Sequence, residues 1–128
     1  MITFLIVLIF VAFFLNLLYE LIHSLLYKTC IEAPLKTYVY LMLKASLFDG
    51  VVISLLYFLS SFFLYQLVVF SLFALVFAYV WEIYSLKAGK WEYANTMPKI
   101  WGVGITPLVQ LVLTGIISVC IVLAFFVK

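Results

Sequence analysis

Long apolar segments with few charges are the feature that most limits how this chain can fold. Of its 128 residues, 70% are hydrophobic and only 9% are charged. A soluble domain of this size leaves much of its surface in water and cannot hide so many apolar side chains. A helix of about 20 apolar residues spans the hydrocarbon core of a bilayer. The sequence therefore predicts an all-α polytopic membrane protein, with four transmembrane helices in one antiparallel bundle.

Polar residues, glycine and proline divide the chain into these spans. We predict membrane helices at residues 2–27, 37–60, 62–86 and 107–127, within a single domain that covers residues 1–128. No charge separates the second and third spans, so Ser60-Ser61 predicts a tight turn. Thr106 before Pro107 is typical of an N-cap and a first helical position. A signal peptide fits residues 1–27 poorly, because no basic segment precedes the apolar run and no Ala-x-Ala motif follows it.

The lysines predict how the bundle is oriented. Loops 28–36 and 87–106 carry five of the lysines, and the chain has no arginine. The positive-inside rule places these two loops in the cytoplasm and both termini outside, for a multi-pass protein of the cell membrane. Loop 87–106 also contains Trp91, Tyr93 and Trp101, and such aromatic side chains concentrate at the lipid headgroups, so we predict an interfacial loop. The net charge of +2 forms no basic patch for nucleic acid.

A polar stripe runs along the last part of the first span. It consists of Asn16, Glu20, His23 and Tyr27, and His23 is the only histidine. At about 100° per residue, the four side chains fall within about 60° of the helix circumference. Polar groups in a membrane helix are costly, so the stripe predicts a functional site with partners on other helices.

Polar side chains on the other spans lie at similar depths. Counting about 1.5 Å per residue, Lys44, Asp49, Glu82 and Gln110 fall in the cytoplasmic half or near the midplane. The outer half carries hydroxyl groups and almost nothing ionisable. We therefore predict one polar cavity that opens toward the cytoplasm, with Glu20, His23 and Asp49 as its reactive groups. The supporting residues are Asn16, Tyr27, Lys44, Glu82 and Gln110. Snorkelling of Lys44 to the headgroups and interfacial positions for Glu82 and Gln110 are equally compatible with their depths.

Glu20-x-x-His23 is the most specific pattern in the stripe. Two copies of it, with two further glutamates, build the di-iron sites of helix bundles, but this chain has one copy. A single metal ion held by Glu20, His23, Asp49 and Glu82 is one interpretation. A structural histidine–carboxylate hydrogen bond and an acid–base or proton-relay role are the others. The sequence requires no cofactor. We predict free thiols at Cys30 and Cys120, on opposite membrane faces.

Several of these residues belong to motifs that extend from Tyr19 to Gln110. The motifs are Glu20-x-x-His23-Ser24-x-x-Tyr27, Asp49 beside Gly50, Glu82, Trp91-x-Tyr93-x-x-x-Met97-Pro98 and Gly104-x-x-Pro107-Leu108-x-Gln110. In these motifs the chain resembles a group of small prokaryotic four-span membrane proteins. The group often has proline after the His-Ser pair and glycine before the aspartate, whereas here Leu25 follows Ser24 and Gly50 follows Asp49. The resemblance implies that these residues form one site, and it implies no activity.

Three functions fit the pattern of an ionisable cluster in a small bundle. The first is a membrane-embedded enzyme that moves protons on a lipid-soluble substrate entering between helices. The second, which fits about as well, is a non-catalytic protein whose polar cluster fastens the helices and whose tryptophan-rich loop binds a membrane partner or lipid headgroups. The third is a proton or cation transporter subunit, acting as a homo-oligomer. The third is disfavoured, because the outer half offers no ionisable groups for an ion path.

Overall fold

Four long helices form the body of the protein. The computed structural model describes residues 1–127, and its long helices are α1 (Ile2–His23), α3 (Leu35–Ser60), α4 (Gln66–Lys87) and α5 (Ile105–Phe126). Each is long and apolar enough to cross a membrane. The predicted all-α bundle of four transmembrane helices is confirmed, and the chain is a small multi-pass integral membrane protein.

The helices are arranged in a ring in which each contacts two neighbours. Helix α1 packs against α3 and α5, and α4 packs against the same two helices on the opposite side. Gly50 allows the backbones of α1 and α3 to approach closely, since a Cβ atom there would lie 2.9 Å from the carbonyl oxygen of Ile9. Gly115 similarly makes room for the ring of Phe70. Small residues thus set the spacing between these helices.

Short elements cover the end of the bundle that carries the lysine-rich loops. A 3₁₀ turn (Ser24–Leu26) and the short helix α2 (Lys28–Ile31) link α1 to α3. Strands β1 (Lys99–Ile100) and β2 (Val103–Gly104) form an antiparallel hairpin just before α5. The loop before this hairpin is bonded to the first connection, where Lys28 donates its amide to the carbonyl of Glu92 at 2.9 Å. The first and third connections therefore form one joined layer.

The opposite half of the bundle is closed by tightly packed apolar side chains. Leu8, Ile53, Phe70 and Val119 come from the four long helices and are fully buried. Burial of this kind excludes water and stabilises each side chain by about 1.5–3 kcal/mol when it is complete. This layer separates the polar cluster from the end where α1 begins and α5 finishes.

The predicted start of the third span was wrong. Helix α4 begins at Gln66 rather than at residue 62, so the link after α3 spans five residues instead of a tight turn. The hydroxyl groups of Ser60 and Ser61 donate to carbonyls of the last turn of α3, and Gln66 donates its side-chain amide to the carbonyl of Tyr57. These bonds satisfy carbonyl groups in the last turn of α3, so that the chain can continue as a five-residue link before α4 begins.

The start of α5 also differs from the expected capping by Thr106. The helix begins at Ile105, with Gly104 as N-cap and no side-chain cap, and the amide of Ile105 donates to the carbonyl of Pro98. The β-hairpin thus replaces a capping side chain. The hydroxyl of Thr106 is left free for another helix.

Candidate functional site

A cavity of about 400 Å³ lies at the end of the bundle that is covered by the joined loops. Its two walls come from Leu41 to Asp49 on α3 and from Phe77 to Glu82 on α4. Residues of α1 and α5 form the rest of the wall, and Lys90 and Trp91 of the last connection, between α4 and α5, lie at its rim. A cavity of this size is in the range that holds a small organic ligand.

The three predicted reactive side chains all line this cavity. Glu20 and His23 lie on consecutive turns of α1 and are 9% and 4% exposed. Asp49 projects from α3 and is partly exposed, because it faces the cavity. The i, i+3 spacing of Glu20 and His23 puts them on one face of α1. The structure therefore brings together two carboxylates and one imidazole from two helices.

Gln110 of α5 is the common hydrogen-bond partner of the cluster. Its Nε2 lies 2.8 Å from Oε1 of Glu20 and 3.1 Å from Oδ2 of Asp49. The same nitrogen lies 3.1 Å from Oδ1 of Asn16. An amide nitrogen has two hydrogens, so three acceptors compete for two bonds. Because Glu20 and Asp49 both contact this nitrogen, their nearest oxygens are within about 6 Å of each other.

The network continues toward the middle of the bundle through hydroxyl and amide groups. The hydroxyl oxygen of Thr114, one turn beyond Gln110, lies 3.1 Å from Oδ1 of Asn16 and 2.7 Å from the carbonyl oxygen of Gln110. The Nδ2 group of Asn16 donates back to the carbonyl of Ala12 at 2.8 Å. These bonds satisfy the deepest polar groups, as buried polar atoms in an apolar medium require.

His23 is held by one ring nitrogen and leaves the other unpartnered. Its Nε2 is 2.7 Å from the hydroxyl oxygen of Thr106, and that hydroxyl lies 3.3 Å from the sulfur of Met97. In the tautomer in which Nε2–H donates to this hydroxyl, Nδ1 carries the free lone pair of the neutral ring. Nδ1 is buried without a hydrogen-bond partner and lies 3.6 Å from Oε2 of Glu20. The ring is wedged between Tyr19 and Tyr27, at centroid distances of 5.3 and 5.0 Å.

Glu82 belongs to a separate cluster at the rim of the cavity. Its Oε1 accepts hydrogen bonds from the hydroxyls of Tyr27 and Tyr93, at 2.8 and 2.6 Å, and from the indole of Trp91 at 3.1 Å. Burial raises the pKa of the Tyr93 phenol, and its hydrogen bond to Glu82 raises the pKa further. The phenol therefore remains a proton donor at neutral pH, and Glu82 fastens the last connection onto α4 and onto Tyr27 of the first connection.

Other predicted residues lie apart from the buried network. Lys44 lines the outer part of the cavity but is exposed, with its Nζ 5.8 Å from the ring centroid of Tyr40. It forms no ion pair with Asp49 within residues 1–127. Trp101 is 85% exposed at the turn of the hairpin. Trp91 and Tyr93, which we predicted only at the interface, are also hydrogen-bond donors to Glu82.

Thr106 and Thr114 are parts of the site that the sequence did not identify. Thr106 was assigned to a helix cap, although its hydroxyl fixes the histidine ring. Thr114 follows Gln110 at a four-residue step, so both lie on one face of α5. This four-residue step was the one signal in the sequence that Thr114 belongs to the site.

The four candidate metal ligands do not converge. In the part of the chain that the structure describes, no group of three or more histidine, cysteine, aspartate or glutamate side chains is placed to hold a metal ion. Glu82 is occupied by its own donors, and Glu20 and Asp49 share Gln110. The geometry of the cluster is suited to hydrogen bonding and proton transfer.

Comparison of the chain with protein families, with curated proteins and with solved structures finds no match.

Proposed function

We propose that this protein is a membrane-embedded enzyme that performs acid–base chemistry on a lipid-soluble substrate. The observation that carries the proposal is Nδ1 of His23, a ring nitrogen that is buried without a hydrogen-bond partner on a residue that lines the cavity. A buried polar atom without a partner is costly and is uncommon outside functional sites. Its distance of 3.6 Å from Oε2 of Glu20 is too long for a hydrogen bond but close enough for charge stabilisation.

Each member of the cluster has a defined role in this proposal. Nδ1 of His23 takes a proton from the substrate, and the carboxylate of Glu20 stabilises the imidazolium that forms. The imidazolium then returns this proton to another atom of the substrate, so that His23 is neutral again and no proton is gained or lost overall, while the carboxylate of Asp49 holds the substrate beside it. Gln110 holds the two carboxylates in position by donating to both. Pre-positioned groups of this kind accelerate proton transfer by about 10²–10⁴-fold.

The walls of the cavity support a lipid-soluble substrate. Between the polar groups and the rim, α3 and α4 contribute Leu41, Phe48, Phe77 and Trp81. Apolar walls with a few convergent polar groups are typical of small-molecule sites. The lysine-rich loops at the same end favour a cytoplasmic position for the cavity in a cell membrane, with both termini outside.

The proposal is tested by lipid analysis of cells that lack the protein. Extracts of the deletion strain are compared with extracts of strains that carry the wild type, Glu20→Gln, His23→Gln or Asp49→Asn. We expect the same lipid, quinone or isoprenoid species to change in the deletion strain and in all three variants. Glu92→Gln is the matched control, because the side chain of Glu92 is 70% exposed and outside the cavity. An unchanged lipid profile in the deletion strain would refute the enzymatic function.

The Gln110 network also favours a second candidate, a non-catalytic membrane protein in which the polar cluster only fastens the helices. One amide joins α1, α3 and α5, and interhelical bonds of this kind stabilise membrane proteins by about 0.6 kcal/mol on average. This function predicts a stoichiometric partner in mild purification and no lipid change. We do not propose transport, because the packed layer around Leu8 and Phe70 closes the opposite half.

A further inference from the structure

The carboxylates around the cavity have no lysine partner among the described residues. Glu20, Asp49 and Glu82 all line it, and within residues 1–127 none of the lysines forms an ion pair with any of them. Among the described residues, His23 is the one basic side chain that pairs with any of these acids, at 3.6 Å from Glu20. Buried carboxylates are normally paired with a cation or neutralised by protons.

The lysines at the rim are directed to aromatic rings rather than to these acids. Nζ of Lys90 lies 4.5 Å from the ring centroid of Trp81 and 4.8 Å from that of Tyr84. Both Lys90 and Lys44 are exposed. The lysines therefore leave the acids in the inner part of the cavity without an ion pair to a lysine.

Aromatic rings form a large part of the cavity surface. The rings are those of Tyr27, Phe48, Phe77, Trp81 and Trp91. The faces of such rings attract a cation, by about 0.5–1 kcal/mol at exposed sites and about 2 kcal/mol when water is excluded. Protons alone could neutralise the acids, but they do not account for a space of about 400 Å³ with aromatic walls.

We infer that the cavity takes an amphiphile with a positively charged amine or onium head group and an apolar body. The head group lies beside Asp49 and Glu20, and the apolar body lies along Phe48 and Phe77. The inference rests on the proposed function, since it names the substrate class of the same cavity. A bare metal ion fits less well, because the described residues supply no set of three ligands for it.

A pair of ions with the same shape and opposite charge tests this inference. The purified full-length protein, in a neutral maltoside detergent, is titrated with tetraphenylphosphonium or with tetraphenylborate. Trp81 and Trp91 line the cavity, so their fluorescence reports on binding, and calorimetry gives the affinity independently. We expect the cation to bind at least tenfold more tightly than the anion. Equal affinities, tighter binding of the anion or no binding of either ion would overturn the inference.

Variants locate the bound cation. Asp49→Asn keeps the shape of the side chain and should weaken binding of tetraphenylphosphonium by about tenfold or more. The exposed control Glu92→Gln should leave the affinity unchanged. Binding of tetraphenylborate by Asp49→Asn should be unchanged or stronger, which shows that the variant still folds. If Asp49→Asn, folded by this criterion, binds the cation as tightly as the wild type does, the inference is wrong.

Competition with lipids distinguishes two sources of the charged head group. If phosphatidylethanolamine in the micelles competes with tetraphenylphosphonium and phosphatidylglycerol does not, the ligand is an amine-bearing lipid. If neither competes, a smaller lipophilic amine is the ligand. Equal competition by the two lipids would contradict selection for positive charge.

Failure of this inference can be told apart from failure of the enzymatic function. A changed lipid profile in the deletion strain without charge selectivity in the titration leaves the enzyme standing and removes the substrate class. Charge selectivity without a changed lipid profile leaves a cation-binding site and removes the catalysis.

Discussion

Replacement of Gln110 by leucine removes the donor that joins three helices. Leucine has a similar size, so the change deletes the amide while α5 keeps its apolar contacts. In the wild type, Nε2 contacts Glu20, Asp49 and Asn16 at 2.8–3.1 Å. After the substitution, these acceptors lose their common donor.

The expected loss follows from the number of bonds that the amide can make. Two hydrogens allow two bonds at a time, and an interhelical bond in a membrane is worth about 0.6 kcal/mol on average and about 1.7 kcal/mol at most. The two bonds therefore account for about 1–3 kcal/mol of the free energy of unfolding. The decrease in the free energy of unfolding lies toward the upper end of this range when an acceptor is a charged carboxylate, because hydrogen bonds to charged groups are stronger than bonds between neutral groups.

Reversible unfolding in mixed detergent micelles measures this difference. Ser71→Ala is the matched control, because the exposed hydroxyl of Ser71 bonds only to the carbonyl of Leu67 in its own helix. We expect the control to stay within about 0.5 kcal/mol of the wild type. A Gln110→Leu protein that is as stable as the control would refute the network as a link between helices.

Three further changes test the packing, the loop anchor and the orientation. Gly50→Ala should lower the free energy of unfolding by about 1–3 kcal/mol, since its Cβ would lie 2.9 Å from a backbone oxygen of α1; unchanged stability would contradict the close packing. Glu82→Gln weakens two hydrogen bonds to the last connection, from Trp91 and Tyr93, so trypsin should cleave after Lys90 about tenfold faster; an unchanged rate would contradict the anchor. In a Cys120→Ser background, an impermeant maleimide should label Cys30 only from the cytoplasmic side, and labelling from outside would reverse the orientation. Burial, and to a smaller extent the charge of Glu20, raises the pKa of the Cys30 thiol, so its reactive thiolate forms at higher pH than that of an exposed thiol. The rate of labelling at Cys30 should therefore keep rising above the pH at which labelling of an exposed thiol reaches its maximum rate.

The four-helix architecture could be predicted because the bilayer restricts what an apolar chain can form. A spanning segment must satisfy its own backbone groups, so each apolar stretch of sufficient length becomes a helix. The starts of α4 and α5 were predicted less well. They depend on bonds from the side chain of Gln66 and from the amide of Ile105 that composition does not indicate.

Depth along the helices could also be predicted, because helical rise does not depend on which partners are present. Counting residues places Glu20, Asp49 and Gln110 in the cytoplasmic half or near the midplane, at depths of about 10, 20 and 5 Å, and the structure brings these three together. The rotation of each helix could not be predicted from depth. Lys44 and Asp49 share a helix, yet only Asp49 reaches the network.

The unpartnered nitrogen of His23 and the separate position of Glu82 required the structure. The first depends on Thr106, which is 83 residues away in the chain. The second depends on how the loop that carries Trp91 and Tyr93 folds back over α1. Contacts between distant segments of this kind have no signature in a single sequence.

The central claim is that Glu20, His23 and Asp49 act as one site, and a double-mutant cycle on catalysis tests it most directly. The initial rate at which the affected lipid species changes is measured for Glu20→Gln, for Asp49→Asn and for the double variant. If the two carboxylates serve one reaction, each single change abolishes most of the activity and the double variant is little worse, with a coupling energy above about 1 kcal/mol. Losses that multiply in the double variant, or full activity in either single variant, would contradict a shared site.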